Sequence, residues 1–504
     1  MPLLTTYDGT VLSYRTLGEG EPLVCLAGGP MRDASYLGDL GGLAAHRTLV
    51  LLDPRGTGGS AAPADPGTYR CDRQVGDVEA LRVHLGLERM DLLGHSAGGN
   101  LATLYAAAHP ARVRSLVLVT SAGRAVGVGT TDEEWDEAVT VFADRPWYAE
   151  ARAALDTIDE DTPLQRVLDI TAPFAYGRWD AAAREHAAAA TWQMNVEAAT
   201  AYHGEGAYDP EETRRRLTAP VLVLAGEYDA GPTPAKAAEA AACFPHAELV
   251  VQPGASHFPW VDDPGAFLRP VAAFLDPDVR TVTVDGVRLA HRVSGPEDAP
   301  PVVLVHGRGE DGTTWTEIAA DLAADHRVHA LDLRGHGLSD RPGGYGFDAF
   351  RDELGGFLRA LGLTGATVVA HSMGAGAALL LAQRDPGLIG RLVLEEPPGF
   401  QPLDPPRPPA ERPAGPLAFD WAIVPETDAQ LNDPDPRWRA ELSAITAPTL
   451  VLAGGPASHV PQDRLAGLAG RVPGARLATI PAGHLVHTDR PAAFLAAIRE
   501  FGLS

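Results

Sequence analysis

Apolar residues along this chain gather in short, nearly unbroken runs rather than in strict alternation. In the first half the runs are Pro22–Ala27, Leu49–Leu52, Met90–Leu93 and Ser115–Val119. Runs so short and so continuous predict strands buried on both faces. Helical segments separate them, and strand alternating with helix predicts βαβ units in a mostly parallel sheet covered on both sides. Residues 122–217 break that rhythm. They are Ala-rich and carry Trp135, Trp147, Trp179 and Trp192 among charged residues, which predicts a helical cap over the sheet's edge. In the second half, Pro402–Pro416 holds too many prolines for a regular element and is placed in a short lid, about 400–441.

The pattern occurs twice. Leu52–Ser60 (Leu-Asp-Pro-Arg-Gly-Thr-Gly-Gly-Ser) returns at Leu331–Ser339 (Leu-Asp-Leu-Arg-Gly-His-Gly-Leu-Ser), an offset of 279. Gly94-His95-Ser96-Ala97-Gly98 returns as Ala370-His371-Ser372-Met373-Gly374, an offset of 276. Ala219–Gly226 matches Ala447–Gly454 at 228, and Gly254-Ala255-Ser256-His257 matches Pro481-Ala482-Gly483-His484 at 227. Two domains share one frame, and the second lacks about 48 residues between its serine motif and its late strand. The join falls at Leu275-Asp276-Pro277-Asp278, giving domains 1–276 and 279–504. A strand from Val279 to Val284 opens the second, and Asp285-Gly286 turns it into a hairpin.

Composition fits this reading. A length of 504 residues suits two domains, and 45% hydrophobic with 21% charged residues suits full cores. The formal charge of −25 argues against nucleic acid and anionic membrane surfaces as partners. Cys25, Cys71 and Cys243 are scattered and odd in number, and Met1–Gly9 has no secretory character, so a reducing, cytoplasmic location is expected. Lys236 is the one lysine, so Schiff-base chemistry would have to rest on it. The sequence shows no metal-ligand spacing.

The chemistry begins at Ser96. Its glycine-flanked motif follows a strand and precedes a helix, the context of a nucleophile elbow. A serine needs a base and the base an orienting acid. Asp229 ends a late strand and His257 lies 28 positions on, in the loop after the strand Ala247–Val251. Serine, acid, histidine is the chain order of this kind of site.

These residues resemble the α/β-hydrolase superfamily. The first half is similar to its proline iminopeptidase branch, on Ala27-Gly28-Gly29-Pro30, Leu52–Ser60 and Gly94–Gly99. The resemblance implies an oxyanion hole from the backbone amides of Gly29 and Ala97. Two departures stand out: Ala27 and Met31 interrupt the branch's His-Gly-Gly-Pro-Gly, and Ala97 replaces a tryptophan, which alters the pocket wall. The second half resembles esterase- or lactonase-type members, with Val305-His306-Gly307-Arg308-Gly309 as the oxyanion loop. The resemblance then implies Ser372 as nucleophile, His484 as base, and the amides of Arg308 and Met373 as oxyanion donors. Gly454–Ser458 holds no carboxylate where Asp229 stands in the first copy. Some members of the superfamily draw the acid from the strand after the nucleophile helix, here ending in Glu395-Glu396; Glu396 is favoured, Glu395 next. The competing reading makes that pair a strand terminus and the second copy an impaired one.

The fold implied is two tandem α/β-hydrolase domains, each a mostly parallel sheet flanked by helices, the first capped by helices and the second by a short Pro-rich lid. The function implied is a cofactor-free serine hydrolase cleaving esters or amides of small molecules through an acyl-enzyme. The alternatives are a cyclase or perhydrolase on the same fold, or a binding protein. Gly307-Arg308-Gly309-Glu310-Asp311-Gly312, with Asp332 twenty residues on, also matches a dinucleotide fingerprint. The first copy lacks that glycine pattern, and Asp332 belongs to the repeat, so no cofactor is assigned.

Overall fold

Along β3 (Pro22–Leu26), Leu23 and Cys25 enter one hydrophobic core while Val24 and Leu26 enter another. The same division runs through β4 (Thr48–Leu52), where Leu49 and Leu51 part from Val50 and Leu52. Strand side chains alternate between faces, so a sheet covered on both sides needs an apolar residue at every position. That is why the runs are continuous. Full burial of each such side chain contributes about 1.5–3 kcal/mol.

The computed structural model describes residues 1–503 apart from 122, 160, 191–193 and 416. Trp192 and Pro416 therefore lie outside the described residues. The chain divides into two compact units, Met1–Leu275 and Asp276–Ser504.

In the first unit, β1 (Leu3–Thr5) and β2 (Val11–Leu17) lead into β3 and β4, followed by β5 (Met90–His95), β6 (Val113–Val119), β7 (Val221–Gly226) and β8 (Ala247–Gln252). Their order across the sheet is β1-β2-β4-β3-β5-β6-β7-β8. The pairings of β1 with β2 and of β2 with β4 are antiparallel; the others are parallel.

The second unit repeats the plan with β9 (Val279–Val284), β10 (Val287–Ser294), β11 (Pro301–Val305), β12 (Arg327–Leu331), β13 (Ala366–His371), β14 (Ile389–Glu395), β15 (Thr449–Ala453) and β16 (Arg476–Thr479). Read from β9, its order is β9-β10-β12-β11-β13-β14-β15-β16. Position by position this matches the first sheet. Val287 pairs with Val284 across the Asp285-Gly286 turn, where both turn residues have positive φ, 48° and 82°.

Strand order reverses at β3–β5 and at β11–β13, and such reversals open a crevice at the strands' carboxyl ends. Each nucleophile-candidate serine stands there. Between β6 and β7 the cap is helical, with helices at Asp132–Ala138, Tyr148–Leu155, Leu164–Thr171, Ala181–Ala190, Val196–Tyr202 and Pro210–Arg216. Trp135 and Trp147 pack on a small core of their own around Phe142 and Phe174, whereas Trp179 packs against the main core of one sheet face. Between β14 and β15 the lid carries helices at Ile423–Asn432 and Pro436–Ala440, and residues 402–415 are neither helix nor strand. Among the described residues no helix is long and apolar enough to cross a membrane.

Candidate active sites

Ser96 follows β5 directly and precedes the helix Ala97–Ala108. Its φ of 53° is rare for a residue with a side chain, and Ser372 repeats it at 48°. A turn this sharp needs bare backbone beside it. A Cβ on Gly98 would run into the carbonyls of Leu26 and Ala27, and one on Gly374 into the carbonyl of His306. This explains the glycine two positions after each serine.

The structure brings Ser96, His257 and Asp229 together. His257 Nε2 lies 3.0 Å from Ser96 Oγ, and its Nδ1 lies 2.9 Å from Asp229 Oδ2. The other oxygen of Asp229 accepts from the Gly231 amide at 2.9 Å. Asp229 is buried, while the His257 side chain is one-fifth exposed, toward the crevice. In the second unit His484 Nε2 lies 3.0 Å from Ser372 Oγ and its Nδ1 3.3 Å from Glu396 Oε2.

Glu395 and Glu396 part company because strand side chains alternate. Glu395 is still in register, opposite His371 and Leu452. It is fully buried, and it bonds the ring and amide of His487 at 2.7 and 3.0 Å. Glu396 leaves the strand with φ 50° and faces His484. Gly454 N–H and Ser458 Oγ also donate to it. Burial alone would raise the Glu396 pKa, but the bonds from His484, Ser458, Gly454 and Gln462 outweigh it and hold the carboxyl below its ordinary value.

The residue before each serine supports the histidine that faces that serine, a contact the sequence alone does not reveal. In the first unit the Gly28 amide donates to Tyr36 Oη, and the hydroxyl bonds His95 Nδ1, both at 2.7 Å. His95 Nε2 then donates to the His257 carbonyl at 3.0 Å, which Thr120 Oγ also reaches at 3.0 Å. Burial, then the nearby His257, holds the His95 pKa well below 6.5, so this ring is neutral. In the second unit Glu310 takes the place of Tyr36. One of its oxygens accepts from the Gly307 amide at 2.7 Å and from His371 Nδ1 at 3.1 Å, and His371 Nε2 donates to the His484 carbonyl at 3.0 Å. Burial would lower the His371 pKa, but the charges of Glu395 and Glu310 win and raise it. Burial would likewise raise Glu310, yet its bond to His371 brings it down to about 2. One position thus holds a Tyr–His pair with a neutral ring in one copy and, in the other, a Glu–His pair whose ring keeps its proton to higher pH than an ordinary imidazole.

The oxyanion loops differ in the same spirit. Ala27 leaves the first loop to Tyr36. In the second, His306 Nδ1 donates to the Gly307 carbonyl at 2.7 Å while its Nε2 accepts from the Leu333 amide at 3.0 Å. Ala97 opens its helix and Met373 is second in Ser372–Arg384, positions whose N–H groups have no acceptor within the helix. Gly29 lines the cavity at Ser96, and Arg308 and Met373 line that at Ser372. The first cavity, under the cap, measures about 380 Å³ with Tyr176, Trp179 and Phe258 in its wall; the second measures about 260 Å³.

The repeated aspartates are loop ties. Asp53 accepts from the amides of Ala34 and Gly59, and Asp332 from those of Gly312 and Leu338, at 2.6–3.1 Å. Both are buried. The bond from Gly312 to Asp332 accounts for the spacing that imitates a dinucleotide fingerprint. Among the described residues, no group of three or more His, Cys, Asp or Glu is placed to hold a metal ion.

With an uncharacterized protein of Mycobacterium tuberculosis the chain is 39% identical over 128 residues, 25% of this chain and 37% of that protein. With the sn-1-specific diacylglycerol lipase ABHD11 of Mus musculus it is 27% identical, over 42% of this chain and 83% of that one. With a proline iminopeptidase of Lactobacillus helveticus it is 42% identical, over 21% of this chain and 38% of that one. The chain thus spans little more than a third of the first curated relatives that it matches, at 37%. The family described as alpha/beta hydrolase fold matches residues 21–264 and 300–422, well over half of the sequence. Two sheets of one strand order, each with a serine at its crevice, agree with that match, and the chain belongs to the alpha/beta hydrolase fold family.

Proposed function

We propose that both halves are serine hydrolases that cleave esters or amides of small molecules through an acyl-enzyme. The observation that carries this is the relay found twice: serine Oγ to histidine Nε2, and histidine Nδ1 to a buried carboxylate. In each, the histidine takes the serine proton as Oγ attacks the carbonyl carbon, then gives it to the leaving group. Water, deprotonated by the same imidazole, releases the acid and restores the serine. The carboxylate holds Nδ1–H toward itself and stabilises the transient imidazolium. The amides of Gly29 and Ala97, and of Arg308 and Met373, receive the negative oxygen of the tetrahedral intermediate. The imidazole carries each proton in this sequence: the serine's to the leaving group, then water's to the serine. One relative is named as a lipase and another as a peptidase, which supports acyl transfer from either an ester or an amide.

Ser96→Ala and Ser372→Ala, assayed singly and together on a panel of p-nitrophenyl esters, test the reading. Each single variant should lose one component of turnover by roughly a thousandfold or more, and the double variant both. A double variant retaining more than about a tenth of wild-type turnover on these esters overturns it.

A further inference from the structure

Three arginines line the cavity at Ser372, and each comes from a different part of the unit. Arg308 belongs to the loop after β11, Arg407 to the Pro-rich lid, and Arg464 to the first turn of the helix Gln462–Ala469. Convergence from three elements is not what one exposed helix face would produce. The nearby carboxylates do not balance them. Asp428 Oδ1 is shared, accepting from Arg308 Nη1 and from Arg407 Nη1 at 2.7 Å each. Glu396 is taken up by His484, Ser458 and Gly454. Arg464 donates to the neutral carbonyls of Gln401 and Pro402, both at 3.2 Å. The lid that carries Arg407 is itself anchored: its amide donates to Asn432 Oδ1 at 2.7 Å, and Asn432 Nδ2 donates back to its carbonyl at 3.1 Å. The guanidinium is therefore held at the cavity rather than trailing in solvent. In a chain of net charge −25, a cavity with this surplus of positive charge runs against the composition.

We infer that the second site takes an ester or amide whose acyl or leaving half carries a carboxylate, held by Arg407 and Arg464 with Arg308 adding its charge. A guanidinium presents donors in a planar fork that matches a carboxylate, and a charge-assisted bond in a partly closed cavity outweighs one in water. Turnover of such a substrate rests on the acyl chemistry proposed for Ser372, whereas the anion site rests on the arginines alone.

The full chain carrying Ser96→Ala isolates the second site. p-Nitrophenyl hemiglutarate should show a KM lower than that of p-nitrophenyl pentanoate, its neutral counterpart of equal length, by roughly tenfold. Arg407→Gln and Arg464→Gln should each raise the hemiglutarate KM by roughly tenfold and leave that of the pentanoate within about twofold. Raising salt from about 0.05 M to about 0.5 M should weaken the hemiglutarate alone. A preference for the pentanoate, or an equal rise for both esters in the arginine variants, overturns the inference. Calorimetry with glutarate on the chain carrying both Ser96→Ala and Ser372→Ala separates binding from chemistry. Binding that Arg464→Gln removes upholds the anion site even if neither ester turns over, in which case it is the reading of Ser372 that fails. No glutarate binding at roughly ten millimolar, where a weak one-charge contact still registers, overturns the anion site itself.

Discussion

His95 and His371 occupy the same place in two copies of one fold, yet their surroundings shift them in opposite directions. Beside Nδ1 stands the hydroxyl of Tyr36 in the first copy and the carboxylate of Glu310 in the second, where buried Glu395 adds its charge. Imidazole NMR should find His95 uncharged at pH 6 and His371 still charged somewhat above the ordinary 6.5, in line with their opposite shifts. Glu310→Gln should lower the His371 pKa, because it removes one of the two charges that raise it and leaves Glu395 alone against burial. A His371 that titrates alike in both proteins contradicts the part given to Glu310. Neither partner could be read from the sequence. Tyr36 sits in the short 3-10 helix Ala34–Leu37 and Glu310 in the loop after β11, stretches that the repeat does not align, and each meets its histidine across more than fifty residues of chain. The six side chains that the sequence singled out are by contrast at strand ends or in the loops just beyond, and the structure gathers them at two crevices.

At the scale of the element, the end of β14 decides how the second site is built. Two adjacent glutamates serve opposite faces: Glu395 pairs with buried His487, Glu396 with His484. Glu395→Gln should cost about 3 kcal/mol or more of stability, since it breaks a buried pair, while the folded protein keeps its KM at the second site. Glu396→Gln should do the reverse, lowering kcat there by roughly a hundredfold or more while the fold holds. Denaturant unfolding alongside kinetics in the Ser96→Ala background checks both, and a swap of the two outcomes would assign the acid to Glu395. The choice between them was half legible. Sequence put a charged pair at a strand end, but which member turns inward depends on the residue at which β14 stops, and Glu395 is still within the strand. The sheets themselves were legible because residues buried on both faces leave continuous apolar runs. The lid was legible only as a place where proline forbids regular structure; that it holds Arg407 at the cavity depends on Asn432 and Asp428, which carry no signal in the chain.

Across the whole molecule, buried neutral histidines set a pH limit. His291 and His329 face each other at 3.3 Å with Phe357 beside them, and Arg280 and Arg327 nearby. Burial chiefly lowers them, to about 3 and about 4, and lowers His203 in the first unit to about 4. A folded-state pKa below the unfolded value means that the unfolded chain binds protons first as pH falls. The stability these groups contribute is therefore complete above about pH 6.5 and is lost progressively between there and about pH 3. Carboxylates held low, such as Glu79 and Glu310 at about 2, add to the loss below about pH 4.5. Glu353, raised by burial to about 7, works the other way, its contribution fading as pH rises from about 4.5 to 7. Urea unfolding from pH 7.5 to pH 4 should show a falling midpoint, and His329→Phe should flatten the fall in the second unit. An unchanged slope would mean that these rings are already charged in the folded chain.

The acyl chemistry proposed at Ser96 and Ser372 can be counted. Intact protein treated with a fluorophosphonate and weighed by mass spectrometry should take up two labels per chain, mapped to the peptides of Ser96 and Ser372. Ser96→Ala and Ser372→Ala should each take up one, and the double variant none. Unlabelled wild-type protein, or label that persists in the double variant, would contradict acyl chemistry at these two serines.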